Sequence, residues 1–292
     1  MEQQNSMEKR NLILAIVFSA ILLFAVDAIF PQAESPKTIK APEVVSSAPV
    51  AASADSQPIA AATAPVSVAQ AVNENAHLTI ETPSVKGSLR LKGARFDNLS
   101  LLKYRETLDA DSPHITLFSP VGTAFPFFAE FGWISNEFGL PLPNAQTVWS
   151  TADEKLTPET PVTLTWDNQA GLKFIRQIAV DENYMFTVTD RVENYADRAF
   201  TLFNYGLVGR TNVPPSQRGA VLEGLVGFAD GGLKEYAYDK IAKDKQASYD
   251  TTGGWAGITD KYWMGVLAFD QNLQNVNIRF SENDSAEGKH FQ

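Results

Sequence analysis

The chain contains no cysteine. That excludes a disulfide framework, a thiolate zinc site and a cysteine nucleophile. Histidine is scarce. His77, His114 and His290 stand far apart, and none forms an HxxxH or HxH pair, so the spacing of an imidazole metal site is missing. Positive charge is in deficit: Lys and Arg number 24 against 34 Asp and Glu, a net charge of −10. An acidic surface repels a phosphate backbone, so no nucleic acid partner is expected. No GxSxG elbow occurs. The glycines from Gly227 to Gly232 lack GxGxxG spacing, and no Lys-Ser or Lys-Thr follows Gly253-Gly254-Trp255, so neither cradles a phosphate. After Phe30 no second long hydrophobic run follows.

What is present begins at the N-terminus. Residues 1–10 are polar and end in Lys9-Arg10, then Leu12 to Val26 is apolar except for Ser19. Counted through Phe30, the run reaches the ~20 residues that cross a bilayer. Counted only to Val26, it is closer to a signal-peptide core, and Val26-Asp27-Ala28 loosely fits a cleavage pattern. The bulky Phe24 and the apolar Ile29-Phe30 beyond Asp27 favour an uncleaved anchor over residues 11–30. Lys9 and Arg10 before the span place the N-terminus in the cytoplasm and everything after about residue 30 outside. From 31 to 76 the chain is rich in Ala, Pro, Ser and Val, and no aromatic residue stands between Phe30 and Phe96. Such a tract buries too little area to offset its ordering entropy and reads as an extended tether.

From His77 the pattern is that of β-structure, with short runs of Val, Ile, Thr, Phe and Tyr parted by Gly, Pro, Asn and Asp. Leu172 to Val180 is one strand, and Asp181-Glu182-Asn183 supplies a turn. Tyr184, Phe186, Val188, Asp190 and Val192 then share a face, against Met185, Thr187, Thr189 and Arg191. Phe200 to Val208 reads as a third strand, and the three as an antiparallel meander. The expected fold is mainly β: a large sandwich of two antiparallel sheets over residues 77–292. The carboxylates Glu81, Glu106, Asp109, Asp111, Asp153, Glu154, Asp181 and Glu182 sit in polar, turn-like contexts and read as solvated surface charge. Trp255, Tyr262 and Trp263 could form an aromatic platform for a sugar, although aromatics among strands are more often core.

Several peptides resemble the periplasmic region of the bacterial YidC insertases. They are Gly87 to Leu99 with its Lys92-Gly93-Ala94-Arg95-Phe96-Asp97-Asn98 core, Tyr104-Arg105-Glu106-Thr107, Ser119-Pro120-Val121-Gly122-Thr123 and Ala129-Glu130-Phe131-Gly132-Trp133. The most specific is Gly253-Gly254-Trp255-Ala256-Gly257-Ile258-Thr259-Asp260-Lys261-Tyr262-Trp263. Arg10-Asn11-Leu12 opens an anchor of the family's type. The resemblance implies a β-supersandwich related to mutarotase folds, held in the inner membrane. It implies assistance to nascent inner-membrane proteins as they insert and fold, alone or with the Sec translocon and its accessory subunits. Lipid bilayer is a further partner. No cofactor and no covalent catalysis are implied. Lys289-His290-Phe291-Gln292 resembles a stretch that lies inside the family's β-domain, so the domain is expected to stop short of its last strands at Gln292. The insertion groove of the family belongs to later transmembrane helices, so no insertion residue is assigned. Gly253, Gly254, Trp255, Gly257, Ile258, Thr259, Asp260, Lys261, Tyr262 and Trp263 form a family signature expected to be structural. The alternative is an anchored carbohydrate-binding or sugar-epimerase domain, for which His114 with Glu130 is the one acid–base pair to offer.

Overall fold

The computed structural model of the chain describes residues 65–215, 222–273, 275–285 and 287–292. The expected anchor, 11–30, lies outside the described residues, as does the tether up to residue 64. The first described element, helix α1 (Val68–Asn73), falls inside the stretch whose composition reads as tether. Ser67 caps it, its Oγ accepting the Gln70 N–H at 3.2 Å.

The strands follow. β1 (His77–Glu81), β2 (Val85–Arg90), β3 (Arg95–Arg105), β4 (His114–Phe118), β5 (Phe127–Ile134) and the short β6 (Lys155–Leu156) come first. β7 (Val162–Asp167), β8 (Leu172–Val180), β9 (Phe186–Asn194) and β10 (Phe203–Thr211) are next. β11 (Gly224–Ala229), β12 (Gly232–Ala237), helix α2 (Tyr238–Asp244) and β13 (Gln246–Thr251) lead to β14 (Trp255–Thr259), β15 (Met264–Ala268), β16 (Val276–Ser285) and β17 (Gly288–Phe291).

They form a ten-stranded sheet, β13-β16-β17-β10-β5-β3-β2-β1-β6 with β4 on β3, a four-stranded sheet, β12-β11-β14-β15, and a three-stranded sheet, β7-β8-β9. The strand pairs are antiparallel, apart from the parallel β1–β6 pair, where Thr79 meets Lys155. The fold is therefore mainly β and antiparallel, consistent with a sandwich, with its second layer in two pieces.

Both pieces pack on one face of the large sheet. On β5 the residues Phe127, Phe131 and Trp133 alternate inward. Trp133 meets Phe174 of β8 at 6.2 Å between ring centroids, and Phe96 of β3 meets Phe186 of β9 at 5.3 Å. Phe127 and Phe118 close on Gly265 of β15, and Phe131 on Gly206, where Leu267 also arrives. Leu164, Phe174, Ile178, Leu225, Ile258 and Phe280 are all buried in this one core. Each such side chain contributes about 1.5–3 kcal/mol by leaving water.

The hairpin read from Leu172 to Val192 is present. Along β8, Leu172, Phe174, Arg176, Ile178 and Val180 are buried in alternation, and β9 turns Phe186, Val188, Asp190 and Val192 inward with Thr187, Thr189 and Arg191 exposed. The meander is not. The third strand, β10, leaves this sheet and pairs with β5, from Phe203 opposite Ile134 to Arg210 opposite Phe127. Alternation fixes which face a strand buries, not which strand it joins, and neighbours in sequence pair only about two-thirds of the time. Asn204 marks the crossing: its Nδ2 donates to Gly132 O of β5 at 3.1 Å and to Asp190 Oδ2 of β9 at 2.8 Å.

Candidate functional site

The Gly253–Trp263 segment supplies the entry to β14, the strand itself and the turn into β15. Gly254 has φ +104°, and a Cβ there would lie 2.3 Å from the Phe228 carbonyl oxygen, so both conformation and space require glycine. Gln271 pins this turn, its Oε1 accepting the Gly254 N–H at 3.2 Å. Gly257 faces the backbone of Gly265 in the neighbouring strand; an added Cβ would fall 2.0 Å from that carbonyl oxygen. Ile258 points into the core at 1% exposure. The Asp260 N–H donates to Trp263 O at 2.7 Å and closes the hairpin.

Asp260 then does something the local sequence does not reveal. Its carboxylate accepts both arms of Arg210, Nη1 to Oδ1 at 2.8 Å and Nη2 to Oδ2 at 2.7 Å. Arg210 is buried on β10, with its guanidinium 4.2 Å from the Phe127 ring centroid. A bidentate pair of this kind fixes position and angle together. It ties the turn of the four-stranded sheet to the large sheet. Burial raises the Tyr238 hydroxyl pKa beside this pair, and the nearby Arg210 charge opposes that rise.

The three-stranded sheet carries a counterpart. Arg176 of β8 is fully buried and donates to Asp190 of β9, Nε to Oδ1 at 2.7 Å and Nη2 to Oδ2 at 2.8 Å. Its guanidinium lies 5.0 Å from the Trp149 ring and 5.4 Å from Phe131. On the opposite face of the large sheet, Arg95 donates through Nε to Glu130 Oε2 at 2.8 Å and stands 4.1 Å over Phe128. Beside it, Arg90 Nε lies 3.3 Å from Asp97 Oδ2. Burial raises the Asp97 pKa and lowers that of Arg90, each partner charge working against the effect. Burial, with a smaller push from Glu130, takes the Tyr205 phenol to about 12. The arginines and carboxylates are paired with one another. They build joints between strands and layers.

The proposed acid–base pair does not come together. Glu130 is held by Arg95 at the start of β3, whereas His114 lies opposite Arg105 at the far end, its Nδ1 3.3 Å from Tyr104 O. Those two positions stand at opposite ends of β3, with register shifts between them. The aromatic platform is dispersed as well. Trp263 packs edge-on against Tyr104 at 4.7 Å, Tyr262 is exposed beneath Lys261, and Trp255 of β14 stands opposite Phe228 of β11. The turn carboxylates behave as read: Asp181 accepts the Asn183 and Met185 N–H groups, and Asp153 that of Thr163. An open cleft of about 400 Å³ lies between Phe138, Leu140, Pro141, Arg198 and Phe200. Its Arg198 is already paired with Glu137 at 2.6 Å.

Sequence reasoning missed the buried arginines. Asp190 within the apolar stripe of β9, and Glu130 amid the Phe127–Trp133 run, were the available signals, because a carboxylate at an inward position needs a cation.

The YidC periplasmic domain family matches residues 77–291. "Membrane protein insertase YidC" of Methylorubrum extorquens strain PA1 is 41% identical over 91% of this chain and 48% of its own length. The proteins of that name from Methylobacterium radiotolerans and Bradyrhizobium diazoefficiens are 44% and 40% identical, over 88% and 94% of this chain and 43% and 48% of theirs. The chain thus spans about half the length of the curated relatives it matches, and the likeness extends upstream of residue 77.

Proposed function

The chain belongs to the YidC family of membrane protein insertases, and we propose that it supplies the anchor and periplasmic domain of such an insertase. Residues 11–30 hold the protein in the inner membrane with residues 1–10 in the cytoplasm, 31–76 tether the domain, and 77–292 form a β-supersandwich of the galactose-mutarotase type in the periplasm. The whole protein assists inner-membrane proteins to insert and fold, alone or beside the Sec translocon, within the lipid bilayer and without covalent catalysis or a cofactor. Gly253, Gly254, Trp255, Gly257, Ile258, Thr259, Asp260, Lys261, Tyr262 and Trp263 act structurally, as the joint of the four-stranded sheet. The observation that carries the proposal is the family match across residues 77–291. The position of Asp260 on Arg210 supports the structural role of the signature.

Two measurements test this. A reporter active only in the periplasm, fused after residue 65, is expected to be active; silence there with activity of a cytoplasmic reporter would reverse the topology. Depleting the protein in its own cell and following a single-span client by protease accessibility should leave the client uninserted. Normal insertion would sink the insertase reading.

A further inference from the structure

In an antiparallel sheet with one buried face, the other face is ordinarily polar. The three-stranded sheet obeys. Its outward side carries the row Thr163, Gln177 and Thr189 and the row Asp167, Lys173 and Glu193. The four-stranded sheet does not. Its core side takes Leu225, Ile258 and Leu267. By register, Phe228 stands between Leu233 and Trp255 on the outward side, and Gly257 between Val226 and Val266, with Met264 opposite Thr259. Phe228, Leu233, Met264 and Val266 are 43%, 56%, 47% and 40% exposed. Four strands about 4.8 Å apart and three rows about 6.8 Å apart give a face of about 400 Å², with Val226 buried at its centre, and the largest apolar patch of a monomer, about 300–600 Å², is often functional.

Its charges narrow the occupant. Glu235, opposite Val226, is the single charged residue on the face. Exposed Asp230 and Asp270 stand at the turns that border the Phe228 row. The nearby cations are engaged elsewhere: Lys234 Nζ lies 4.7 Å from the Tyr249 ring and Lys261 Nζ 5.1 Å from Tyr262. A second copy would set these acids against their own kind on two bodies of net charge −10. Anionic lipid would meet no cationic rim. We propose that the outer face of the β12-β11-β14-β15 sheet docks a basic amphipathic polypeptide segment, whose apolar side chains cover Phe228, Leu233, Trp255, Met264 and Val266 while its Lys and Arg meet Glu235, Asp230 and Asp270. This rests on the sheet's own residues and not on the insertase reading.

The test uses the 292-residue chain in nanodiscs of zwitterionic lipid, with a labelled amphipathic peptide of Leu and Lys and its Leu/Glu counterpart as probes. The Leu/Lys peptide is expected to bind and the Leu/Glu peptide not. Leu233→Lys with Val266→Lys should weaken binding by about tenfold or more, whereas Gln177→Lys with Thr189→Lys on the other small sheet should leave it unchanged. Equal binding of both peptides, or equal loss in both double variants, overturns the proposal. So does a signal fully accounted for by chain-free nanodiscs, which makes lipid the occupant. Self-association of the chain that Val266→Lys abolishes overturns it in favour of a second copy. A photo-crosslinking residue at position 266 or 189 of the otherwise unchanged chain guards against misfolding of the lysine variants. The adduct is expected from 266 alone, and its absence there rejects the surface.

Discussion

The two small sheets pack on the same face of the same large sheet, and each carries a bidentate arginine–carboxylate joint: Arg210–Asp260 ties the four-stranded sheet to the large one, whereas Arg176–Asp190 links β8 to β9 within the three-stranded sheet, beneath Phe131 of the large sheet. The joints differ in depth. Side chains of Arg176 and Asp190 are 0% and 8% exposed, those of Arg210 and Asp260 4% and 31%. The outer faces differ in kind, polar over β7-β8-β9 and apolar over β12-β11-β14-β15. The sheet with the deeper joint is finished on its solvent side. The sheet with the shallower joint still presents the surface that a further contact would cover. On the proposed docking, stability and recognition are divided between two elements of similar size.

The deeper joint should break hardest. Asp190→Ala leaves the Arg176 charge buried among Phe131 and Trp149, at an expected cost of about 3–5 kcal/mol in denaturant unfolding. A cost below about 1 kcal/mol would mean that water reaches Arg176 and that the contrast in depth is false. Gly257→Ala comes next. The added carbon has no room against the Gly265 carbonyl, so β14 and β15 must part, at about 2–3 kcal/mol. Hydrogen exchange should speed in the four-stranded sheet and not in β8–β9. Asp260→Ala removes a carboxylate that is partly solvated, and about 1–2 kcal/mol is expected.

Acidification should separate the same two regions. His290 of β17 sits opposite Thr211, next to Arg210, with its ring stacked on Phe128 at 5.9 Å. Burial holds its pKa below the ordinary 6.5, and the Arg95 charge adds to this. The unfolded chain therefore takes up the proton first on acidification. The stability is present in full above about pH 6.5 and is lost as the pH falls from there through the folded value. Amide protection at Thr211 and His290 should fall in that window before protection in β8 and β9 does, and His290→Gln should remove the difference. Equal loss in both regions would show that the histidine does not weaken the Arg210 side.

Much of this was legible. The alternation of Leu172 to Val192 named the β8–β9 hairpin and its inward face because period two is local. The Gly253–Trp263 segment was legible as a signature, but the reason for Asp260 lay fifty residues away in Arg210. The partner of β10 was equally out of reach, since strand pairing is chosen by packing across layers. The polar exterior of the three-stranded sheet follows from Thr187, Thr189 and Arg191. The apolar exterior of its neighbour required the register of four strands before Phe228, Trp255 and Val266 could be seen on one side.

The smallest effect expected is the one that probes what lies over that side. Val266→Thr keeps the β-branch and the strand preference while making the outer face more polar. At a position 40% exposed it should change stability by no more than about 0.5 kcal/mol, as should the reverse exchange, Thr189→Val, on the three-stranded sheet. Matched small values mean that both outer faces are bathed in water in the free protein, so the apolar one is open to a partner. A cost for Val266→Thr above about 1 kcal/mol, with Thr189→Val still neutral, would mean that the chain itself already covers Val266, and the contrast between the two faces would become one of intramolecular packing.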